Sequence, residues 1–305
     1  MTAGPVSPPR PVTPDPARMA TTPLTVLTVA RMTLREASRR KVVLALAALT
    51  VVLLGLDAWG FAKIPGLETD QAGQLTSGEA RLIASILLNL VIFAMSLIVA
   101  LGTAFLAGPT LSGELESGVA LAVLARPVRR TAVLLGKWLG LVAFAAIFVV
   151  VACGLQFVIV WVTVGYVPPH PVTAMAFLLA EAVVLLSLAL LLSSLLSPMA
   201  SGVLAVGFFG ATWVAGVIGG IGDVVGNDGV ARVGDISRIL LPTDGLWHGV
   251  MTALQAPSVL ADAGDALGNP FLSPGPLSAA YLGWVVVWLA LVLGVSTASF
   301  ARRDI

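Results

Sequence analysis

Six apolar windows, each long enough to cross a lipid bilayer as a helix, constrain the fold of this chain more than any other feature. A hydrocarbon core of about 30 Å is crossed by about 20 apolar residues in a helix. Backbone N–H and C=O groups inside lipid must find their hydrogen-bond partners within the protein, and a helix provides these partners along its own backbone. We therefore predict an all-α, polytopic membrane protein. The predicted spans are residues 42–61, 82–106, 133–164, 172–196, 199–221 and 279–300.

The overall composition agrees with a membrane class and argues against a soluble one. Hydrophobic residues make up 58% of the chain and charged residues 11%, whereas charged residues are about a quarter of a soluble domain. The charges are segregated along the chain and form no single basic face, so no nucleic-acid partner is predicted. The single cysteine, Cys153, lies inside an apolar window and allows no disulfide framework.

The distribution of basic residues predicts the orientation. If the N-terminus is cytoplasmic, the outer segments hold four of the seventeen Lys and Arg residues, and the inner segments hold the other thirteen. Such an excess is typical of the cytoplasmic side. We therefore expect a multi-pass protein of the cell membrane with both termini in the cytoplasm. The four outer residues are Lys63, Arg81, Arg232 and Arg238.

The segment before the first span divides into two parts. Residues 1–23 are rich in Pro, Thr and Ala and predict a disordered cytoplasmic tail. Residues 24–41 show apolar side chains at helical spacing, with Arg31, Arg35 and Arg39 on the opposite side. This pattern predicts an amphipathic helix along the inner membrane surface. A cytosolic extension of the first span is the alternative.

The rest of the chain, residues 42–305, is predicted to be one six-span domain with two long connections. The first is a cytoplasmic loop at 107–132, and the second is an external loop at 222–278. The external loop has a helix-like middle at 236–254, in which Leu240, Trp247 and Met251 favour the outer headgroup layer. This helix would either cap the exit of a pathway or lie passively at the interface.

The cytoplasmic loop carries a specific pattern that resembles the permease subunits of the ABC-2 transporter family. In that family an acidic segment, a small-residue turn, a Pro-Val-x-Arg turn and a Leu-Gly-Lys lead into the third span. Val119 and Arg129 depart from it, since the family commonly has Thr at the first position and Ser or Thr at the second. The resemblance covers residues 24–305. The matching residues are Glu114, Glu116, Gly118, Arg126, Pro127, Val128, Arg130, Leu135, Gly136, Lys137 and Gly140.

The resemblance implies a division of labour between two kinds of subunit. ATP and Mg²⁺ would bind to a separate cytoplasmic ABC ATPase, present in two copies, so this chain would hold no cofactor and would not itself be an enzyme. It would pair with itself or with a similar permease in the lipid bilayer, and it would export a substrate. Permeases that assist multicopper-enzyme or nitrous oxide reductase maturation, and drug or peptide exporters, are similar. A non-transporting anchor or signalling subunit is the alternative.

The same resemblance gives the loop residues their expected roles. Carboxylates attract basic residues of a partner, and a short apolar helix can dock in a groove. Arginines at the headgroup level hold the start of the next span. Without a partner, the loop would be solvated and its arginines would only fix the topology. The expected coupling residues are Glu114, Leu115, Glu116, Ser117, Gly118 and Leu121. The expected membrane-surface and turn residues are Arg126, Pro127, Arg129, Arg130 and Lys137.

No catalytic or metal site is predicted from the sequence. A phosphate loop requires Ser or Thr after its Gly-Lys, but Trp138 follows Gly136-Lys137 here. The two histidines, His170 and His248, are far apart in sequence and neither has a cysteine nearby.

A few polar residues inside the spans are candidates for a translocation path. A charge at the centre of a span costs about 2.5 to 3.5 kcal/mol, so Glu181 marks either such a path or an interhelical hydrogen bond. Gln156 and Asn89 are read as path residues or as contacts between helices. Gly216 and Gly220 form a GxxxG pair, which predicts close packing within the chain or across a dimer.

Overall fold

The protein is all-α. The computed structural model describes residues 23–64, 68–69, 73–74, 77–116, 130–255 and 275–302. Within these ranges the chain forms nine helices and one pair of two-residue strands. The helices are α1 (Pro23–Ala37), α2 (Lys41–Lys63), α3 (Ser77–Glu116), α4 (Arg130–Val164), α5 (Pro171–Leu195), α6 (Pro198–Val225), α7 (Asp228–Leu240), α8 (Thr243–Leu254) and α9 (Ala279–Arg302); the strands are β1 (Glu68–Thr69) and β2 (Gly73–Gln74).

Six of the described helices are long and apolar enough to cross a membrane, which confirms the predicted six spans. They are α2, α3, α4, α5, α6 and α9. Of these six, the second span is the most enclosed, and its helix α3 packs against α2, α4, α5 and α6. In contrast, α2 buries only Leu46, Thr50, Leu54 and Phe61 and leaves most of its surface for lipid or another chain.

Two sets of contacts define the opposite ends of the bundle. At one end, Arg40 donates from Nη1 to the Leu106 carbonyl at 3.5 Å. At the other end, the Tyr166 hydroxyl donates to the Leu254 carbonyl at 2.9 Å and lies 3.2 Å from the Ser85 hydroxyl oxygen. We call these the Arg40 end and the Tyr166 end. Consecutive spans run in alternate directions between them.

Helical structure extends into both sides of the predicted cytoplasmic loop. Although residue 107 was expected to begin the loop, α3 continues through Pro109 to Glu116, and α4 already begins at Arg130. The remaining connection, 117–129, lies outside the described residues. It contains six of the predicted loop residues: Ser117, Gly118, Leu121, Arg126, Pro127 and Arg129.

The segment between the fifth and sixth spans folds back into the bundle. Gly226 ends α6 with φ 69°, a left-handed conformation that favours glycine. The Asn227 side chain then caps α7 by accepting from the backbone N–H groups of Gly229 and Val230 at 3.1 and 3.3 Å. Helix α7 runs back along α6, and α8 returns to the Tyr166 end. We call α7 and α8 the folded-back hairpin.

The hairpin corrects two expectations about this segment. The prediction of one helix over 236–254 was wrong, because Leu241 and Pro242 separate α7 from α8. The headgroup position was also wrong for Trp247 and Met251, which are 2% and 0% exposed. Both lie in the apolar core formed with α3, α4 and α5. Leu240, on the last turn of α7, is exposed but lies at the hairpin tip.

Two glycines of the Leu-Gly-Lys pattern form a helix crossing. An added Cβ at Gly136 would lie 2.6 Å from Val29 Cβ, and one at Gly140 would lie 2.9 Å from Thr33 Cβ. Real Cβ atoms do not approach so closely. Helix α1 therefore packs directly on the backbone of α4, and the two glycines of α4 make that approach sterically feasible.

Candidate functional site

The tip of the folded-back hairpin carries a cluster of polar side chains deep in the bundle. Arg238, near the end of α7, donates from Nε to Asp244 Oδ2 at 2.8 Å. Its Nη2 lies 3.0 Å from His248 Nε2. Since a guanidinium only donates, Nε2 accepts this bond and the imidazole is neutral. Burial lowers the pKa of His248, which favours the same neutral form.

Side chains of α9 hold the end of α7 in this position. The last carbonyls of a helix have no partner within the helix and need one when water is absent. Trp288 Nε1 donates to the Leu240 carbonyl at 2.8 Å, and Trp284 Nε1 donates to the Ile239 carbonyl at 3.1 Å. The Tyr281 hydroxyl donates to the Pro242 carbonyl at 3.3 Å. The sixth span therefore fixes the depth at which the hairpin turns.

A second polar pair lies at the level of this tip. Ser96 of α3 donates to Glu181 Oε1 of α5 at 2.9 Å. Glu181 Oε2 is buried and has no hydrogen-bond partner within the described parts of the chain. The Asp244 carboxylate lies against Gly216, nine residues from the end of α6 and so about 14 Å along that helix. Glu181 is ten residues from the start of α5, about 15 Å along the helix axis. The two carboxyl groups therefore share a layer near mid-bundle.

The other two predicted path residues are buried but not joined to this layer by a hydrogen bond. Gln156 of α4 is 0% exposed, and neither atom of its amide has a partner among the described residues. Asn89 of α3 donates to the Ser85 carbonyl at 3.3 Å, while its Oδ1 has no partner within the same set. Unsatisfied buried amides are costly, so both side chains stand out from their apolar surroundings.

The glycines of α6 pack against the hairpin. The Asp244 carboxylate occupies the space where a Gly216 side chain would be. An added Cβ at Gly219 would lie 2.6 Å from the Gly234 Cα, so the backbones of α6 and α7 touch. Gly220, the predicted partner of Gly216, has nothing within 4 Å of an added Cβ. The close contacts therefore recur at Gly216, Gly219 and Gly222, and Gly220 makes none with the part of the chain that the structure describes.

Near the Arg40 end, hydrogen bonds join three spans just before the 117–129 connection. Lys137 of α4 is 6% exposed and donates from Nζ to the Thr110 carbonyl of α3 at 3.0 Å. Ser193 of α5 donates to the Gly108 carbonyl, and the Ser112 N–H donates to Ser193 Oγ at 3.2 Å. These contacts flank Pro109, which has no N–H for the preceding turn of α3.

Comparison with known proteins decides the family. Residues 27–305 match the family model described as ABC-2 family transporter protein. The chain belongs to the ABC-2 transporter family. It is a multi-pass membrane permease subunit of an ABC transporter, and this family associates with an ABC ATPase. No curated protein sequence matches the chain significantly.

The loop residues of this permease that fall within the described ranges lie around the base of the connection. Glu114, Leu115 and Glu116 form the last turn of α3. Arg130 is the first residue of α4 and is partly buried. Lys137, expected at the membrane surface, instead spans the interface between α3 and α4. A lysine at this place therefore serves helix packing in addition to any effect on topology.

The sequence reasoning missed the cluster of Arg238, Asp244 and His248. These residues were assigned to an external segment, where charged side chains are ordinary. The available signal was the run of small residues at Gly216, Gly219 and Gly222, since a helix that presents a glycine face requires a close neighbour. Gly234 and Ala231, on the facing side of α7, supply that neighbour.

Proposed function

We propose that this permease exports its substrate, using ATP hydrolysed on two cytoplasmic ATPase subunits that act on the segment between α3 and α4. The Arg40 end faces the cytoplasm in this proposal, in line with its excess of basic residues. The observation that carries it is the bond from Lys137 to the Thr110 carbonyl at 3.0 Å. It ties together the two helices that lead into and out of the 117–129 connection.

Movement of that connection would reach the polar layer through α3. Pro109 weakens the helical hydrogen bonding of α3, so the turn that follows can tilt. Ser193 attaches the same region of α3 to α5. Further along these two helices, Ser96 and Glu181 form their second connection. A tilt at the Arg40 end therefore acts on Glu181 without a separate relay.

The folded-back hairpin supports outward transport because it occupies the half of the bundle nearer the Tyr166 end. Trp247 and Met251 fill the space between α3, α4 and α5 there. The layer with Glu181 and Asp244 lies at the level of the hairpin tip. In the proposed cycle the hairpin separates from α5, and the substrate leaves at the Tyr166 end.

Charge reversal at the end of α3 tests the coupling. The full chain carrying E114K/E116K is compared with wild type for co-purification of the ABC ATPase and for ATP hydrolysis in proteoliposomes. We expect the amount of ABC ATPase that co-purifies with the variant to be at least about tenfold lower than with wild type. The reason is that repulsion replaces the attraction between complementary charges across the interface. The matched control, D223K/D228K, reverses two exposed carboxylates at the Tyr166 end.

Two results would overturn the proposal. One is a preparation in which no ABC ATPase accompanies the wild-type chain. The other is an E114K/E116K variant whose hydrolysis and ATPase binding equal those of D223K/D228K. If the ATPase binds but hydrolysis leaves the α3–α5 contacts unchanged in cross-linking between the two helices, the chain acts as an anchor and not as a transporter.

A further inference from the structure

The corner between α1 and α2 carries an open basic pocket. Its volume is about 520 Å³, and its lining consists of Arg35, Glu36, Arg39 and Arg40. Glu36 Oε1 accepts from Arg40 Nη2 at 2.6 Å, so the single carboxylate of the pocket is already paired. Arg35 and Arg39 are exposed and make no ion pair with any residue that the structure describes. Two guanidinium groups thus remain available to an anion.

An apolar cleft begins immediately below this pocket. Arg40 connects the two, because its Nη1 donates to the carbonyl of Leu106, a residue of the cleft wall. The free volume of the cleft is only about 20 Å³, so a ligand would lie along it and would not be enclosed. Side chains of α2, α3 and α4 form its walls: Val43, Leu46, Leu106, Leu141, Phe144 and Phe148.

The residues around the basic pocket and the apolar cleft are of the kinds expected at the headgroup layer of a membrane. Helix α1 exposes Leu24, Leu27 and Met32 along with its arginines, and a helix that mixes apolar and basic side chains binds at the lipid surface. Lys41, the first residue of α2, adds another exposed positive charge. The span that follows is lightly packed, so hydrocarbon chains can reach the cleft beside it.

We propose that the Arg35–Arg39–Arg40 pocket and the adjoining cleft form a binding site for one anionic phospholipid. The guanidinium groups of Arg35 and Arg39 hold the phosphate, since their planar forks match its oxygens. One acyl chain lies against Val43 and Leu46 along the cleft. The occupant is a lipid and not a free phosphate because the basic pocket opens directly onto an apolar surface. This site is independent of the transport direction proposed above.

Native mass spectrometry of the full chain in detergent tests the site. Phosphatidylglycerol and phosphatidylcholine of equal chain length are added in turn, and the lipid retained per protein is measured. We expect preferential retention of phosphatidylglycerol by wild type and at least about tenfold weaker retention by R35Q/R39Q, since each basic residue at the surface strengthens anionic-lipid binding severalfold. The matched control K63Q/R232Q removes two exposed charges at the Tyr166 end.

A third arm separates lipid from free phosphate. Glycerophosphoglycerol, which has the headgroup but no acyl chains, is added at the same concentration as the lipid. We expect it not to displace phosphatidylglycerol. Displacement would mean an anion site without use of the cleft, and an equal loss in R35Q/R39Q and K63Q/R232Q would mean general charge attraction. Either outcome overturns the proposal, as does equal retention of both lipids by wild type.

Discussion

The carboxylate of Asp244 lies against the backbone of Gly216, in the space that any larger residue would fill with its side chain. Asp244 also receives the Arg238 Nε–H at 2.8 Å and is 3% exposed at its side chain. A glycine of the fifth span therefore determines where the ion pair at the hairpin tip can form. The packing of the hairpin and the chemistry of its tip depend on the same residue.

Replacement of Gly216 tests this dependence. In Gly216→Ala, the new methyl group displaces Asp244 and strains its bond to Arg238. We expect a loss of about 1 to 3 kcal/mol of stability from overpacking, measured as a lower apparent melting temperature in detergent. Gly220→Ala is the matched control, because no described residue lies within 4 Å of an added Cβ at that position. Equal melting temperatures for the two variants would contradict the observed contact.

The tryptophan bonds of α9 give a second test. Trp288→Phe keeps the ring but removes the N–H that donates to the Leu240 carbonyl, leaving a carbonyl of α7 without its partner. We expect destabilisation of about 1 to 3 kcal/mol and faster hydrogen exchange in α7 and α8. Trp59→Phe changes an exposed tryptophan of α2 and serves as the control. Unchanged exchange in the hairpin would show that α9 does not hold it.

The crossing of α1 and α4 predicts an effect on a helix distant in sequence. Gly136→Ala places a Cβ 2.6 Å from that of Val29, so α1 must move away. We expect faster hydrogen exchange over residues 26–37. Gly154→Ala, on the same helix with nothing within 4 Å, should leave this exchange unaltered. If hydrogen exchange over residues 26–37 is equally slow in the two variants, the crossing does not depend on Gly136.

Glu181 can be tested without changing its shape. Glu181→Gln retains an oxygen that accepts from Ser96 but cannot carry a negative charge. We expect unchanged or higher stability, because an ionisable group has left the membrane interior. If the Glu181 charge acts in the translocation path, transported substrate should no longer stimulate ATP hydrolysis by the bound ATPase in this variant. Stimulation equal to that of wild type would assign Glu181 a purely structural role.

The spans could be predicted from the sequence because length and apolarity are sufficient to identify them. The hairpin could not, since α7 has a polar surface and α8 has only 12 residues, too few to cross a bilayer. What buries Trp247 is the three-dimensional arrangement of α3, α4 and α5 around it, which no local pattern contains. The single-residue signals were present but ambiguous: Gly136 matched a family motif, yet its contact with Val29 required the packed structure.

The bonds from Trp284 and Trp288 to the end of α7 also bear on how the protein is made. The ribosome completes α7 and α8 before it reaches these tryptophans. Until the last span enters the bilayer, the carbonyls of Ile239 and Leu240 lack their partners and are better satisfied by water. The end of α7 can therefore be held at its final depth only after the last helix has entered the bilayer.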